Sequence, residues 1–135
     1  MKSPGEIEAA VCVAVTRFER EFMGRGPRHV DAHLIGNRLL VRLVGSLTAA
    51  EEWLIAAQGG NDSNGRGAEL LKQLRSHLVR AGQPILESLV RDATGTPTIG
   101  MHYDISATTG EEMLVLTLAS APECRTRKRS HAQRD

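Results

Sequence analysis

Aromatic side chains are scarce in this sequence, which has one Trp, one Tyr and two Phe among its 135 residues. The core must therefore be built from Leu, Val, Ile and Ala. Excess positive charge is lacking as well. The formal net charge is only +1, whereas dedicated nucleic-acid binders usually carry a strong basic excess on one face. A specific nucleic-acid partner is therefore not expected.

Long apolar runs and paired cysteines are also missing. Residues 9–15 form the longest unbroken apolar run, which is far too short to span a membrane. The first eight residues include two acids, unlike a secretory signal. Cys12 and Cys124 have no CxxC partner, so we expect reduced thiols. These features predict a soluble, cytoplasmic protein.

No familiar catalytic signature occurs, since the sequence lacks GxSxG, HExxH and the Rossmann fingerprint. His29 and His33 would lie roughly 13 Å apart along a strand, which is too far for one metal ion. His102 and Asp104 point to the same side of a predicted strand. An acid–base pair is conceivable there, although solvated surface residues are the favoured interpretation. We expect no cofactor, no metal and no enzymatic activity.

Capping boxes, in which a Ser or Thr is followed three residues later by Glu, predict the start of two helices. Ser3 and Glu6 open a long helix that ends at Gly24. Thr48 and Glu51 open a short helix that runs to about residue 57. The apolar face of the long helix recurs every three or four residues: Ile7, Ala10, Val11, Ala14, Phe18 and Phe22.

A second long helix is predicted from about residue 67 to residue 93, after a flexible Gly/Asn-rich linker at 59–65. Pro84 cannot donate a hydrogen bond to the carbonyl of Arg80, so we expect a kink there, eased by Gly82. Gly95 ends the helix. Its buried stripe is predicted to be formed by Leu71, Leu74, Leu78, Ile85 and Leu89.

Four strands are predicted as two hairpins. Residues 30–35 and 39–44 flank a two-residue turn of Gly36 and Asn37, and residues 98–105 and 113–118 flank a second loop. The chain therefore consists of two tandem helix-plus-β-hairpin units. They predict an α+β fold in which the long helices cover one face of a four-stranded, mainly antiparallel sheet.

The second face of this sheet is predicted to be only partly polar. The apolar residues expected on it or near it are Ile35, Leu40, Val44, Leu114, Leu116 and Leu118. Exposed apolar surface of that size indicates a partner. We therefore predict a homodimer.

The loop formed by Gly24, Arg25, Gly26 and Pro27 is the most unusual local feature. Its two glycines allow backbone conformations that expose N–H groups, and Arg25 offers a planar fork for a carboxylate, carbonate or phosphate. The alternative is a helix C-cap followed by a rigid turn, because the electronegative end of a helix opposes an anion site. Arg75, on the second long helix, is interpreted as making surface and capping contacts.

The charges are unevenly distributed along the chain. Residues 121–135 are predicted to be a disordered basic tail beyond a domain at 1–120. The alternative is an arm that contacts an anionic membrane surface or nucleic acid. The charged residues after Pro122 are Glu123, Arg125, Arg127, Lys128, Arg129, Arg134 and Asp135.

Several segments form a combined pattern: REFMGRGP at 20–27, GSLTAAE at 45–51, LKQLR at 71–75, and a Thr-Gly pair at 94–95 ahead of a strand. Over roughly residues 6–118 this pattern resembles the MpsC-like family of small bacterial and archaeal proteins. The linker at 59–65 and the basic tail depart from it. The positions that match the family's motifs are Gly24, Arg25, Gly26, Pro27, Gly45, Thr48, Glu51, Arg75, Gly95 and Asp104.

The resemblance implies an accessory role. The family is named for a sodium-translocating, membrane-potential-generating system, in which it accompanies membrane subunits linked to cation movement and inorganic-carbon uptake. We therefore expect a non-catalytic accessory protein, cytoplasmic or peripheral at the membrane, with membrane transport subunits as partners. The alternative is a stand-alone small-anion or ligand-binding regulatory dimer. Its candidate ligand-binding residues are Gly24, Arg25, Gly26, Pro27, Arg75 and Asp104.

Overall fold

Both predicted capping boxes begin helices. In the computed structural model, which describes residues 1–59 and 66–124, Ser3 Oγ accepts a hydrogen bond from the Glu6 N–H, and the Glu6 carboxylate accepts one from the Ser3 N–H. Helix α1 follows at Pro4–Phe18. Thr48 and Glu51 form the same reciprocal pair at the start of α2, Ala49–Gly59. The predicted basic arm beyond residue 124 lies outside the described residues, as do all but the first residue of the predicted linker.

Helix α1 continues into a π-helical turn at Glu19–Met23 and stops at Gly24, as predicted. The φ of Gly24 is 104°, a left-handed conformation that favours glycine. The N–H groups of Gly24 and Arg25 both donate to the carbonyl of Glu19. The helix therefore ends in a π-helical turn, whose first carbonyl is hydrogen-bonded to the start of the loop at 24–27.

The sequence predicts one helix over 67–93 with a kink at Pro84, eased by Gly82; the chain is interrupted at this point, and the interruption is complete, so that two helices form. Helix α3 spans Arg66–Ala81 and α4 spans Gln83–Thr94, with Gly82 between them. Pro84 lacks the N–H that would continue the hydrogen-bond series. A Cβ at Gly82 would lie 2.8 Å from Phe18 and 2.6 Å from Phe22, so the break lets the backbone approach this stacked aromatic pair.

The four strands pair as two antiparallel hairpins joined side by side, which confirms the predicted α+β fold. They are β1 (His29–Ile35), β2 (Arg38–Val44), β3 (Thr98–Ile105) and β4 (Glu112–Leu118). The order across the sheet is β1-β2-β4-β3. The hairpins therefore meet along β2 and β4 in the middle of the sheet.

The core lies between the helices and the inner face of the sheet. Leu116 of β4 pairs with Leu39 of β2, and Leu114 pairs with Val41. All four side chains are buried. The prediction that Leu114, Leu116 and Leu118 lie on the second face is therefore wrong, because this register turns them inward.

The outer face of the sheet is partly apolar, although less so than the sequence predicted. Ile35 is 65% exposed, and Leu40 and Val44 are half-buried, together with Met113 and Val115. The homodimer stays a prediction, with a smaller apolar surface to support it. Among the described residues, every helix is too short or too polar to cross a membrane.

The contact between Gly82 and the aromatic pair predicts a steric effect of adding one methyl group. We expect Gly82→Ala to lower the free energy of unfolding by about 1–3 kcal/mol, because overpacking forces aromatic rings or backbone to shift. Gly5→Ala is the control, since its Cβ would meet nothing closer than 4.0 Å. Urea unfolding measures both variants. Equal stability of the two would contradict the contact.

Candidate functional site

Arg75 lies in the interior and is 0% exposed, so the interpretation of surface and capping contacts is wrong. It belongs to the buried series of α3, in which Leu71, Arg75 and Val79 follow one another at intervals of four residues. Residues four apart share one face of a helix. An arginine in a core position of this series therefore needs partners inside the protein, because a buried unpaired charge is very costly.

Three carboxylates from three different elements surround its guanidinium group. Arg75 Nη1 donates to Glu51 Oε1 at 2.9 Å. Arg75 Nη2 donates to Glu19 Oε1 at 3.0 Å and to Glu112 Oε2 at 2.7 Å. Glu19 comes from the π-helical turn, Glu51 from the start of α2 and Glu112 from the start of β4. The three contacts thus connect α3 to three other parts of the fold.

Two hydroxyl groups complete the arrangement. Ser46 Oγ donates to Glu112 Oε2, and the Tyr103 hydroxyl donates to Glu112 Oε1 at 3.1 Å. Both oxygens of Glu112 are therefore bonded. We call these residues the buried arginine cluster, and its members are Glu19, Ser46, Glu51, Arg75, Tyr103 and Glu112.

The cluster contains three carboxyl groups and one guanidinium group, so full ionisation would leave an excess of negative charge. Burial, and then the charge of Glu112, raise the pKa of Glu19 to about 8, although Arg75 opposes the shift. Glu19 therefore keeps its proton near neutral pH. Burial lowers the pKa of Arg75, but the charges of Glu112 and Glu19 outweigh it and raise that pKa overall. The pKa of Tyr103 is raised, first by burial and then by Glu112, so its hydroxyl remains a donor.

The loop at 24–27 lies directly against this cluster through Glu19 and Thr48. The Glu19 carbonyl accepts from the loop's first two N–H groups, and a Cβ on Gly24 would lie 3.7 Å from Thr48. Arg25 Nη1 donates to the Leu47 carbonyl at 3.1 Å. The prediction that the loop exposes its N–H groups is wrong for Gly24 and Arg25, since both groups are bonded within the fold. An anion here would bind mainly through arginine side chains.

Asp104 lies at the end of β3, with contacts apart from the loop and the cluster. Its carboxylate accepts from the Ile105 N–H at 2.9 Å and pairs with Lys72 Nζ at 3.2 Å. First the backbone hydrogen bond and then Lys72 lower its pKa. These contacts do not involve His102, which favours the interpretation of both residues as surface polar groups.

A polar group on the outer face of β1 was not anticipated from the sequence. Asp31 lies 3.2 Å from His29 Nε2 and 3.7 Å from His33 Nε2, and it also pairs with Arg42. One carboxylate therefore bridges the two histidines. Within residues 1–59 and 66–124, no three His, Cys, Asp or Glu side chains are placed to hold a metal ion.

Comparison with known proteins places the whole site within one recognised family. A family model described as Na+-translocating membrane potential-generating system (MpsC) matches residues 3–120. The "Uncharacterized protein YbcI" of Bacillus subtilis (strain 168) is 32% identical over 119 residues, which cover 88% of this chain and 90% of that protein. No solved structure matches.

The raised pKa of Glu19 predicts a stability that falls as the pH rises. The folded-state pKa of about 8 exceeds the ordinary value of 4.5. The stability that this proton contributes is therefore complete below pH 4.5 and is lost as the pH rises to about 8. Between these limits one proton changes the free energy of unfolding by about 1.4 kcal/mol per pH unit. We expect Glu19→Gln, which stays neutral, to remove this dependence.

Urea unfolding from pH 5 to pH 9 measures the effect as the difference between wild type and variant. Glu21→Gln is the matched control, because Glu21 is exposed in the same π-helical turn and forms an ion pair with the exposed Arg17. It should follow the wild type at every pH. If the difference in unfolding free energy between wild type and Glu19→Gln were the same at every pH, Glu19 would be ionised over the whole range, and the raised pKa would be contradicted.

Removing the guanidinium group should be strongly destabilising. We expect Arg75→Met to lose about 3–5 kcal/mol of unfolding free energy, since it leaves buried carboxylates without their cation. Lys72→Met, one turn earlier on α3, removes an exposed ion pair and should change stability by less than about 0.5 kcal/mol. Chemical denaturation near pH 6 compares them. Similar values for both variants would refute the role of Arg75.

Proposed function

The chain belongs to the MpsC family, and on this premise we propose that it is a non-catalytic accessory protein of a sodium-translocating, membrane-potential-generating membrane system linked to inorganic carbon. The observation that carries the proposal is the family match over residues 3–120. This match includes both hairpins, the loop at 24–27 and every residue of the buried arginine cluster. The proposed partners are membrane subunits of that system, which this protein contacts from the cytoplasmic side.

The geometry supports binding in preference to catalysis. The buried arginine cluster brings several ionisable side chains together, and its guanidinium group and Glu112 carboxylate are 0% exposed. These groups hold the fold together and are closed to a substrate. The exposed surface, by contrast, includes the arginines around the loop and the outer face of the sheet, which is partly apolar and partly polar. Such surfaces suit contact with a partner.

A second candidate function is a stand-alone regulatory dimer that binds a small anion. The observation that favours it is Arg25, which is exposed and has one Nη group fixed by the Leu47 carbonyl. Because a guanidinium group has five N–H donors, the remaining donors can bind an anion. This function requires neither membrane subunits nor an ion gradient.

Deleting the gene in the native host tests the accessory role. We expect the deletion strain to lose sodium-dependent membrane potential, measured with a voltage-sensitive dye, and to recover it when the wild-type protein is expressed. A tagged copy should co-purify from detergent-solubilised membranes with integral membrane subunits that translocate sodium. A tagged copy of Arg91→Ala, which changes an exposed arginine of helix α4, checks that the tag and a loss of charge do not alter recovery.

Two results together would refute the accessory role. They are an unchanged sodium-dependent potential in the deletion strain, and purification of the protein without membrane subunits. If sedimentation then gave the mass of a dimer, the stand-alone candidate would be favoured.

A further inference from the structure

Three exposed arginines surround the loop at 24–27 and make no ion pair with the described residues. They are Arg20, Arg25 and Arg28, and we call them the arginine surface. The nearby acids are already used, since Glu21 pairs with Arg17 and Glu19 is buried against Arg75. The guanidinium groups of the arginine surface are therefore available to bind an anionic ligand.

Gly45 lets the side chain of Arg28 lie close to the backbone. The Cβ and Cγ of Arg28 are 2.9 Å from the place where a side chain of Gly45 would begin. The φ of Gly45 is +79°, which other residues rarely adopt. Arg20 lies beside Gly26, with its Nε 3.7 Å from the place where a side chain would begin, which is an ordinary contact distance. Only the missing side chain of Gly45 is therefore needed to make room for an arginine, and that arginine is Arg28.

Contacts with the fold restrict Arg25 and Arg28 before any ligand binds. Arg25 is fixed by the Leu47 carbonyl, and Arg28 lines the same cleft as Gly45 and Leu47. Binding an anion then costs less side-chain entropy than it would with free arginines. One acid, Glu52, lines that cleft as well.

Phosphate is the chemical group that fits this arrangement. The planar guanidinium fork binds two phosphate oxygens at once, and several arginines together can neutralise more than one negative charge. Three backbone N–H groups at the loop are used within the fold, because those of Gly24, Arg25 and Arg28 donate to carbonyls. Recognition therefore depends mainly on side chains, which suits a ligand approaching from outside.

We propose that Arg20, Arg25 and Arg28 form a phosphate-binding surface for the headgroup of an anionic lipid or for a free phosphate compound. The proposal deepens the anion-binding candidate above, and it rests on that candidate's use of the loop. It does not depend on a sodium-translocating partner. The lipid and the free compound share one chemistry, so the experiment has to separate these two sources.

The experiment uses the full chain and two phosphate probes. Co-sedimentation with vesicles of phosphatidylcholine and phosphatidylglycerol, against phosphatidylcholine alone, measures lipid binding. Calorimetry with pyrophosphate measures binding of a free compound. We expect binding to at least one probe, and we expect Arg25→Ala to weaken it about fivefold, since each basic residue at an anionic surface contributes about 1 kcal/mol. Higher salt should also weaken it.

Arg38→Ala is the matched control, because it removes the same charge from an exposed arginine far from the loop in sequence. It should bind as the wild type does. The basic residues beyond 124 are present in every variant, so they raise vesicle binding equally in all of them. Arg25→Lys separates charge from geometry, since it keeps the charge and loses the fork. It should bind at least twofold more weakly than the wild type.

Vesicle binding that pyrophosphate does not compete away would identify lipid as the source, and calorimetric binding of pyrophosphate would identify a free compound. The proposal is overturned if neither probe binds, or if Arg38→Ala weakens binding as much as Arg25→Ala does. Thermal unfolding of each variant confirms that it is folded. The potential of the deletion strain is measured separately, so a failed arginine surface would leave the accessory role standing.

Discussion

The fold depends on one buried guanidinium group and the three carboxyl groups that enclose it. Removing charges from water is costly, and the attraction between them offsets that cost only when every partner is in place. Glu19, Glu51 and Glu112 reach Arg75 from three elements that are distant in sequence. These contacts favour one arrangement of the helices and the sheet, since a shift of the element that carries Glu51 or Glu112 would leave the charge of Arg75 with fewer partners.

The same residues also set the shape of the loop. Glu19 bonds Arg75 through its carboxyl group and the first loop residues through its carbonyl. Glu51 likewise caps α2 and contacts Arg75. Hydrogen bonds of Glu19 therefore connect the buried arginine cluster to the loop beside the exposed arginine surface. A protein built in this way can present fixed cations to a phosphate or to a partner without reorganising its core.

Local features were predictable from the sequence, whereas long-range ones were not. Caps, glycine stops and the two-residue turn depend on neighbouring residues, and they were confirmed. The inward orientation of Leu114 depends on its pairing with Val41, and the packing of Gly82 against Phe18 and Phe22 joins residues that are far apart along the chain. Arg75 could have been suspected from its place between Leu71 and Val79, but its carboxylates lie 24 to 56 residues away along the chain. No local pattern identifies such partners.

The proton on Glu19 has a thermochemical consequence. With a pKa of about 8 in the folded chain against an ordinary 4.5, this carboxyl group is mostly protonated in the native state at pH 7 and ionised after unfolding. Unfolding therefore releases about one proton to the solution. The buffer takes up that proton, and its enthalpy of protonation adds to the measured enthalpy of unfolding. Calorimetric enthalpies of unfolding should consequently differ between phosphate and Tris at the same pH, although the folded structure is the same in both.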